Sequence, residues 1–214
     1  MENTRLSKDA YKLQLNWAER DRKCWLNNVK GLLCNYGFAE VWFNQGIGDK
    51  HTFKMILKQR ITDIGIQSWQ IEINNMDRLR FYKIIKEQFC IEKYIDILEP
   101  LDRSVMANFR CTGLPLRVVV GVYYEKINYN SCLCEICYQE KTEDEYHFLL
   151  ECKSLTPVRR KCISEYYWNP PSVNKYINLM SRNDSRGLLM IVKYLHEALK
   201  LRHEIRENRS MYIS

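Results

Sequence analysis

Apolar residues recur at helical spacing along most of the chain. Residues 1–20 are polar with scattered Tyr11, Leu13, Leu15 and Trp17, a segment read as a fraying helix. From Asp21 the positions Trp25, Val29, Leu32 and Leu33 share one face, and Gly37 follows where a left-handed cap residue is wanted, which predicts an amphipathic helix. Phe38 to Phe43 reads as extended, Gly46 and Gly48 mark a turn, and Asp49 is placed to cap the next helix. Phe53, Leu57, Ile61, Ile64, Trp69 and Ile73 then predict one long helix from Lys50, weakened at Gly65 and ended by Asn74-Asn75. Leu79, Tyr82, Ile85 and Phe89 give another, and Pro100 suits the first turn of a helix carrying Leu101, Val105 and Phe109. The pattern breaks at Gly113 and Pro115, and Val118 to Val122 is the most strand-like run, available to pair with the cysteine-rich segment after it. Leu155 to Tyr167 returns to helix until Trp168-Asn169-Pro170-Pro171, Ser172 caps a short helix through Met180, and a last helix spans about Leu188 to Arg206.

The segment between the strand-like run and the last helices has a different character. Cys134 and Cys137 are two residues apart, and His147 and Cys152 follow in a Cys-x2-Cys-x9-His-x4-Cys arrangement. Thiolates and imidazole suit a tetrahedral zinc ion, and two short ligand pairs joined by a loop let a small hairpin close without a large core. The alternative that these are ordinary buried thiols is weakened by the short-range His-x4-Cys. A set using Cys132 with Cys137 instead of Cys134 is also allowed by spacing. The fold class expected is therefore mainly α, a helical domain with an embedded Cys3His zinc hairpin. Its parts are an N-terminal segment (1–20), a helical scaffold (21–130), the hairpin (131–155) and a C-terminal helical segment packing on the scaffold (156–214).

Composition adjusts this picture. At 46% hydrophobic and 28% charged the chain is globular, and nine cysteines without a signal-like start point to a reducing compartment, nuclear or cytoplasmic. No apolar run approaches the ~20 residues that span a bilayer, and the aromatic stripes read as core with no small-molecule cofactor box. Residues 134–152 hold six acids and one base, a net of −5, so the rest carries +12 of the overall +7. A polyanion such as RNA or DNA is drawn to the body and repelled by the hairpin, unless the excess is a solvated surface alone. Arg159, Arg160 and Lys161, in one helical turn after the last ligand, are the candidate phosphate contacts.

Several stretches carry a family resemblance. They are Trp25 to Gln45, Lys58-Gln59-Arg60, Trp69, Glu92-Lys93-Tyr94, Asn108-Phe109-Arg110-Cys111, Glu143 to Cys152, and Tyr166-Tyr167 with Pro171. Together they resemble the C-terminal region of reverse transcriptases from non-LTR (LINE-type) retrotransposons, over nearly the whole chain. The resemblance implies ligands at Cys134, Cys137, His147 and Cys152, none at Cys132, and a tail that contacts template RNA or target DNA beside a polymerase core. The chain departs from the family between Arg110 and Cys134: it keeps Gly121, but Leu114, Val119 and Val122 stand where polar residues are usual. No Asp-Asp pair for two-metal polymerase chemistry and no Pro-Asp nuclease motif occurs, and His51, His196 and His203 fall on helix or surface positions, so no enzyme activity is expected. The competing expectation is a structural module that docks on a polymerase core or another protein without binding nucleic acid.

Overall fold

The computed structural model describes residues 2–20 and 22–213. The chain divides into two compact units, Met1–Gln70 and Ile71–Ser214, and the division falls within a helix of the expected scaffold.

The first unit contains α1 (Glu2–Glu19), α2 (Trp25–Asn35), α3 (Ala39–Asn44) and most of α4 (Lys50–Asn75). The expected helix start at Asp21 lies outside the described residues. α2 ends as its sequence suggests: Gly37 takes φ +80°, and the Phe38 N–H closes back on the Leu33 carbonyl at 2.7 Å. That turn sends the chain straight into α3, so the expected extended run Phe38–Phe43 is helical. An extended segment needs a neighbouring strand for its backbone groups, and no named strand exists among the described residues. α3 buries Trp42 against Leu26 and Ala18 and leaves Phe43 exposed. Asp49 caps α4 as expected, accepting from the Thr52 N–H at 2.8 Å and its hydroxyl at 2.7 Å.

The second unit holds the main core. α5 (Arg80–Ile85), α6 (Lys93–Ile97) and α7 (Pro100–Arg110) precede the metal-site segment, and α8 (Thr156–Cys162), α9 (Glu165–Trp168), α10 (Val173–Met180) and α11 (Ser185–Ile213) come after it. The helix expected over Leu79–Phe89 stops at Ile85, and Phe89 is exposed instead of core. Met106 and Phe109 of α7, Phe148 and Leu149, and Tyr194 and Leu195 of α11 are all fully buried in one cluster. At roughly 1.5–3 kcal/mol for each such side chain, this apolar contact is the main force holding the C-terminal helix against the rest of the unit. Ser172 caps α10, accepting from the Lys175 N–H at 3.3 Å, and Asp184 caps α11 through the Gly187 N–H at 2.8 Å. Two stretches singled out in the sequence meet here: Arg110 pairs with Glu92 at 3.2 Å and lies over the Tyr94 ring.

Val118 to Val122, expected as a strand, lies in a π-helical segment (Val119–Glu125). Cys132 packs closely on this segment, so that a Cβ on Gly121 would sit 2.5 Å from the Cys132 sulfur. Contact with the hairpin survives in another form, because the Val118 N–H donates to the Glu143 carbonyl at 3.2 Å. No helix among the described residues is long and apolar enough to cross a membrane.

Candidate metal centre

The hairpin is held by very little regular structure. Leu133 and Thr142 form a single antiparallel bridge, with Cys134 N–H to the Lys141 carbonyl at 2.8 Å and Glu143 N–H to the Cys132 carbonyl at 2.9 Å. Between these, Tyr138 and Glu140 both take φ +54°, a left-handed conformation that costs non-glycine residues about 1–3 kcal/mol and marks a loop held by its surroundings. This loop carries Cys134 and Cys137. The second ligand pair comes from a π-helical turn, His147–Glu151, closed by the Cys152 N–H on the His147 carbonyl at 2.8 Å. In an α-helix, residues five apart point about 140° away from each other. A turn closed by an i→i+5 bond brings them back to one side, so the His-x4-Cys spacing needs the wide turn.

The result is a group of Cys134, Cys137, His147 and Cys152 whose ligand atoms all lie within 4.8 Å of one another, and it can hold a metal ion. Cys134 and Cys152 Sγ are 3.9 Å apart, and Cys137 Sγ is 3.3 Å from His147 Nε2. Three of the four ligands are buried and Cys137 is half-buried. Sharing a hydrogen bond with Cys152, together with burial, pushes the Cys134 thiol up to about 12. Buried thiols so placed ionise only beside a cation, which is the condition metal binding creates. Cys132 lies outside the group: its sulfur packs on Gly121 and contacts the Asn128 carbonyl, so the alternative set through Cys132 does not form.

Around the ligands is a set of groups that sequence reading missed. His147 Nδ1 faces Glu151 Oε2 at 3.4 Å, and Glu151 also pairs with Lys141 at 2.8 Å. This arrangement leaves Nε2 toward the sulfurs and fixes the imidazole's orientation. Asp144 accepts from the His147 N–H at 2.8 Å and from the Tyr129 hydroxyl. Glu143, fully buried, receives both arms of Arg202 from α11 at 2.7 Å each, and the Arg117 N–H at 2.7 Å. Three of the hairpin's six acids are therefore interior. Glu143 and Asp144 brace the metal-site segment, Glu145 is buried beside them, and the three do not present the repelling surface that their sequence suggested.

The three expected phosphate contacts divide. Arg159 is 1% exposed, and its guanidinium donates to the carbonyls of Leu149 at 2.7 Å, Cys152 at 3.1 Å and Phe148 at 3.4 Å. It satisfies the carbonyls that the π-turn leaves open at its end and cannot reach a phosphate. Arg160 and Lys161 are exposed on the same helix. Comparison with protein-family models, curated proteins and solved structures gives no match.

Proposed function

We propose that the chain is a non-catalytic, zinc-containing nucleic-acid-binding module of the kind found in the tail of a non-LTR reverse transcriptase, working inside the cell on template RNA or target DNA beside a polymerase core. The observation that carries this reading is the closed, four-ligand Cys3His group. A tetrahedral zinc ion with Zn–S of about 2.3 Å and Zn–N of about 2.0–2.1 Å has edges of roughly 3.8 Å between sulfurs and 3.5 Å between sulfur and nitrogen. The separations of 3.9 and 3.3 Å fit those edges. Thiolate-rich sets favour zinc over magnesium or calcium, and a catalytic zinc keeps one position for water, which four protein ligands do not leave. The metal's part is then to fix the chain direction at Cys152, from which the turn Lys153–Leu155 leads into α8. Arg159 locks that helix to the ligand turn, and Arg160 and Lys161 face solvent from it.

The test has two arms. Freshly purified protein is expected to hold one zinc ion per chain; Cys134→Ser and Cys152→Ser should release it, while Cys132→Ser keeps it. Metal-free protein, or equal loss from all three variants, refutes the metal assignment. In anisotropy titrations with single-stranded RNA, Arg160→Ala/Lys161→Ala should flatten the slope of log affinity against log salt by about 1.4, from ~0.7 per phosphate contact on a single strand. An unchanged slope refutes the placement of the contacts.

A second reading, docking on a polymerase core or another protein, is favoured by the first unit. There a groove of about 470 Å³ is lined by Tyr11, Trp25, Val29, Trp42 and Phe53, with Trp25 54% exposed. Absence of any salt-dependent RNA or DNA binding by the full chain would select it.

A further inference from the structure

A cavity of about 140 Å³ lies on the second unit, lined by Asp77, Arg78, Arg80, Thr112, Tyr123, Tyr129 and Glu145, with Val118 and Val122 as its apolar wall. It is far above the ~10–15 Å³ that one water needs and below the ~300–1,000 Å³ of pockets for drug-sized ligands, so it suits a single small ring system. Glu145 is 3% exposed, and its Oε1 has no hydrogen-bond partner. An interior carboxylate oxygen left without a donor is costly, and such a group in a native fold calls for a donor supplied from outside.

The other walls narrow what that donor belongs to. The Arg80 guanidinium stacks 3.7 Å over the Tyr129 ring, and Arg78 lies 5.7 Å from the centre of the Tyr123 ring. Arg78 is fixed by two bonds to the Thr112 carbonyl, at 3.1 and 3.0 Å, and Thr112 returns its hydroxyl to the Arg78 carbonyl at 2.7 Å. Tyr129 is tied through its hydroxyl to Asp144. These walls are therefore set before any ligand arrives. Arg78 and Arg80 are matched by Asp77 and Glu145 in the lining, so the cavity is charge-balanced and favours a neutral occupant over a bare cation or a bare anion. A flat ring with an N–H edge for Glu145, faces for tyrosine and valine, and a negative linkage outside for Arg78 and Arg80 satisfies every wall.

We propose that this cavity takes an unpaired nucleobase bearing an exocyclic amine, cytosine or adenine, from a single-stranded RNA or DNA. Glu145 accepts from the amine, an interaction that carboxylates make with the cytosine amino group in nucleic-acid recognition. Aromatic rings and guanidinium planes supply stacking surfaces that tolerate any base. Uracil is the discriminating control, because its one Watson–Crick N–H is flanked by two carbonyls that face the carboxylate unfavourably. The inference deepens the nucleic-acid reading given above and rests on it.

The experiment compares oligo(C), oligo(A) and oligo(U) of equal length on the full chain by fluorescence anisotropy at fixed salt. A charged hydrogen bond contributes about 1.5–3 kcal/mol, so oligo(C) and oligo(A) should bind on the order of tenfold or more tightly than oligo(U). Glu145→Leu should erase that preference with zinc content retained, and its melting temperature should match or exceed the parent's because an unpartnered acceptor has been removed. Arg80→Ala should weaken all three oligomers by the same factor. Equal affinity for the three in the parent overturns the inference while leaving nucleic-acid binding intact. No binding of any of them overturns both. A preference that survives in Glu145→Leu, or a cationic peptide that binds the parent and not Glu145→Leu, also overturns it, the latter assigning the cavity to a protein side chain.

Discussion

Glu143 and Arg202 are the pair on which the second unit's metal-site segment should depend most. Glu143 is 0% and Arg202 5% exposed, and the guanidinium meets the carboxylate with two bonds of 2.7 Å. Changing Glu143→Leu leaves a buried guanidinium without a counter-charge, and Arg202→Met leaves a buried carboxylate. Breaking one side of such a pair costs about 3–5 kcal/mol, a large part of the ~5–15 kcal/mol that holds a domain folded. At about 2–4 °C per kcal/mol for a unit of this size, each single variant should melt roughly 6–20 °C below the parent. The double variant Glu143→Leu/Arg202→Met removes both charges and fills the space with apolar groups, which is often neutral. It should therefore melt close to the parent, giving a coupling of about 3 kcal/mol or more in a double-mutant cycle. Thermal unfolding followed by circular dichroism measures all four proteins. Single variants within ~0.5 kcal/mol of the parent, or losses that add in the double, would refute the reasoning.

Other expectations rest on single contacts. Gly121→Ala places a methyl 2.5 Å from Cys132 Sγ and 2.9 Å from Ile127 Cδ1, and should lose about 1–3 kcal/mol by chemical denaturation, with Cys132→Ala recovering part of it. Arg159→Leu strands the Leu149 carbonyl, at about 1–3 kcal/mol, while the Phe148 carbonyl keeps the Tyr194 hydroxyl and that of Cys152 keeps the Leu155 N–H; it should weaken zinc retention against a chelator while Arg160→Ala does not. Asp184 is held at about 2, below its ordinary 3.8, first by Arg182 and then by the Gly187 N–H. Its contribution is present in full above the unfolded value and disappears as pH falls through about 2. The melting-temperature gap between the parent and Asp184→Asn should therefore close between pH ~4 and 2 and stay constant above that range.

The helical class and the four ligands were legible because each depends on local spacing. Asp49, Gly37, Pro100 and Ser172 act at the helix ends where short-range chemistry puts them. The misses were long-range. Val118–Val122 has β-branched composition, yet Val119–Val122 is π-helical with Gly121 packed on Cys132, and nothing within the run announces that. Arg159 reads like Arg160 and Lys161 in sequence; only the open carbonyls of a π-turn ten residues earlier pull it inside. Glu143 likewise looks like one acid among six until Arg202, 59 positions on, reaches it. Glu151 as the partner of His147 was available in principle, since residues four apart on a helical turn meet, but the expected hairpin concealed the turn.

The sequence distances inside the metal centre set an order of events in time. All four ligands fall between Cys134 and Cys152, so the loop that gathers them can close as soon as that stretch has left the ribosome. Its electrostatic brace arrives later, since Arg202 is made 50 residues after Cys152. During synthesis at roughly 5–20 residues per second, the segment spends several seconds with its ligands complete and Glu143 still open to water. An ion taken up in that interval would enter a site still without its brace, and arrival of α11 would turn that exchangeable site into a retained one. A chain cut between α10 and α11 should consequently take up zinc and give it up quickly, whereas the whole chain should keep it.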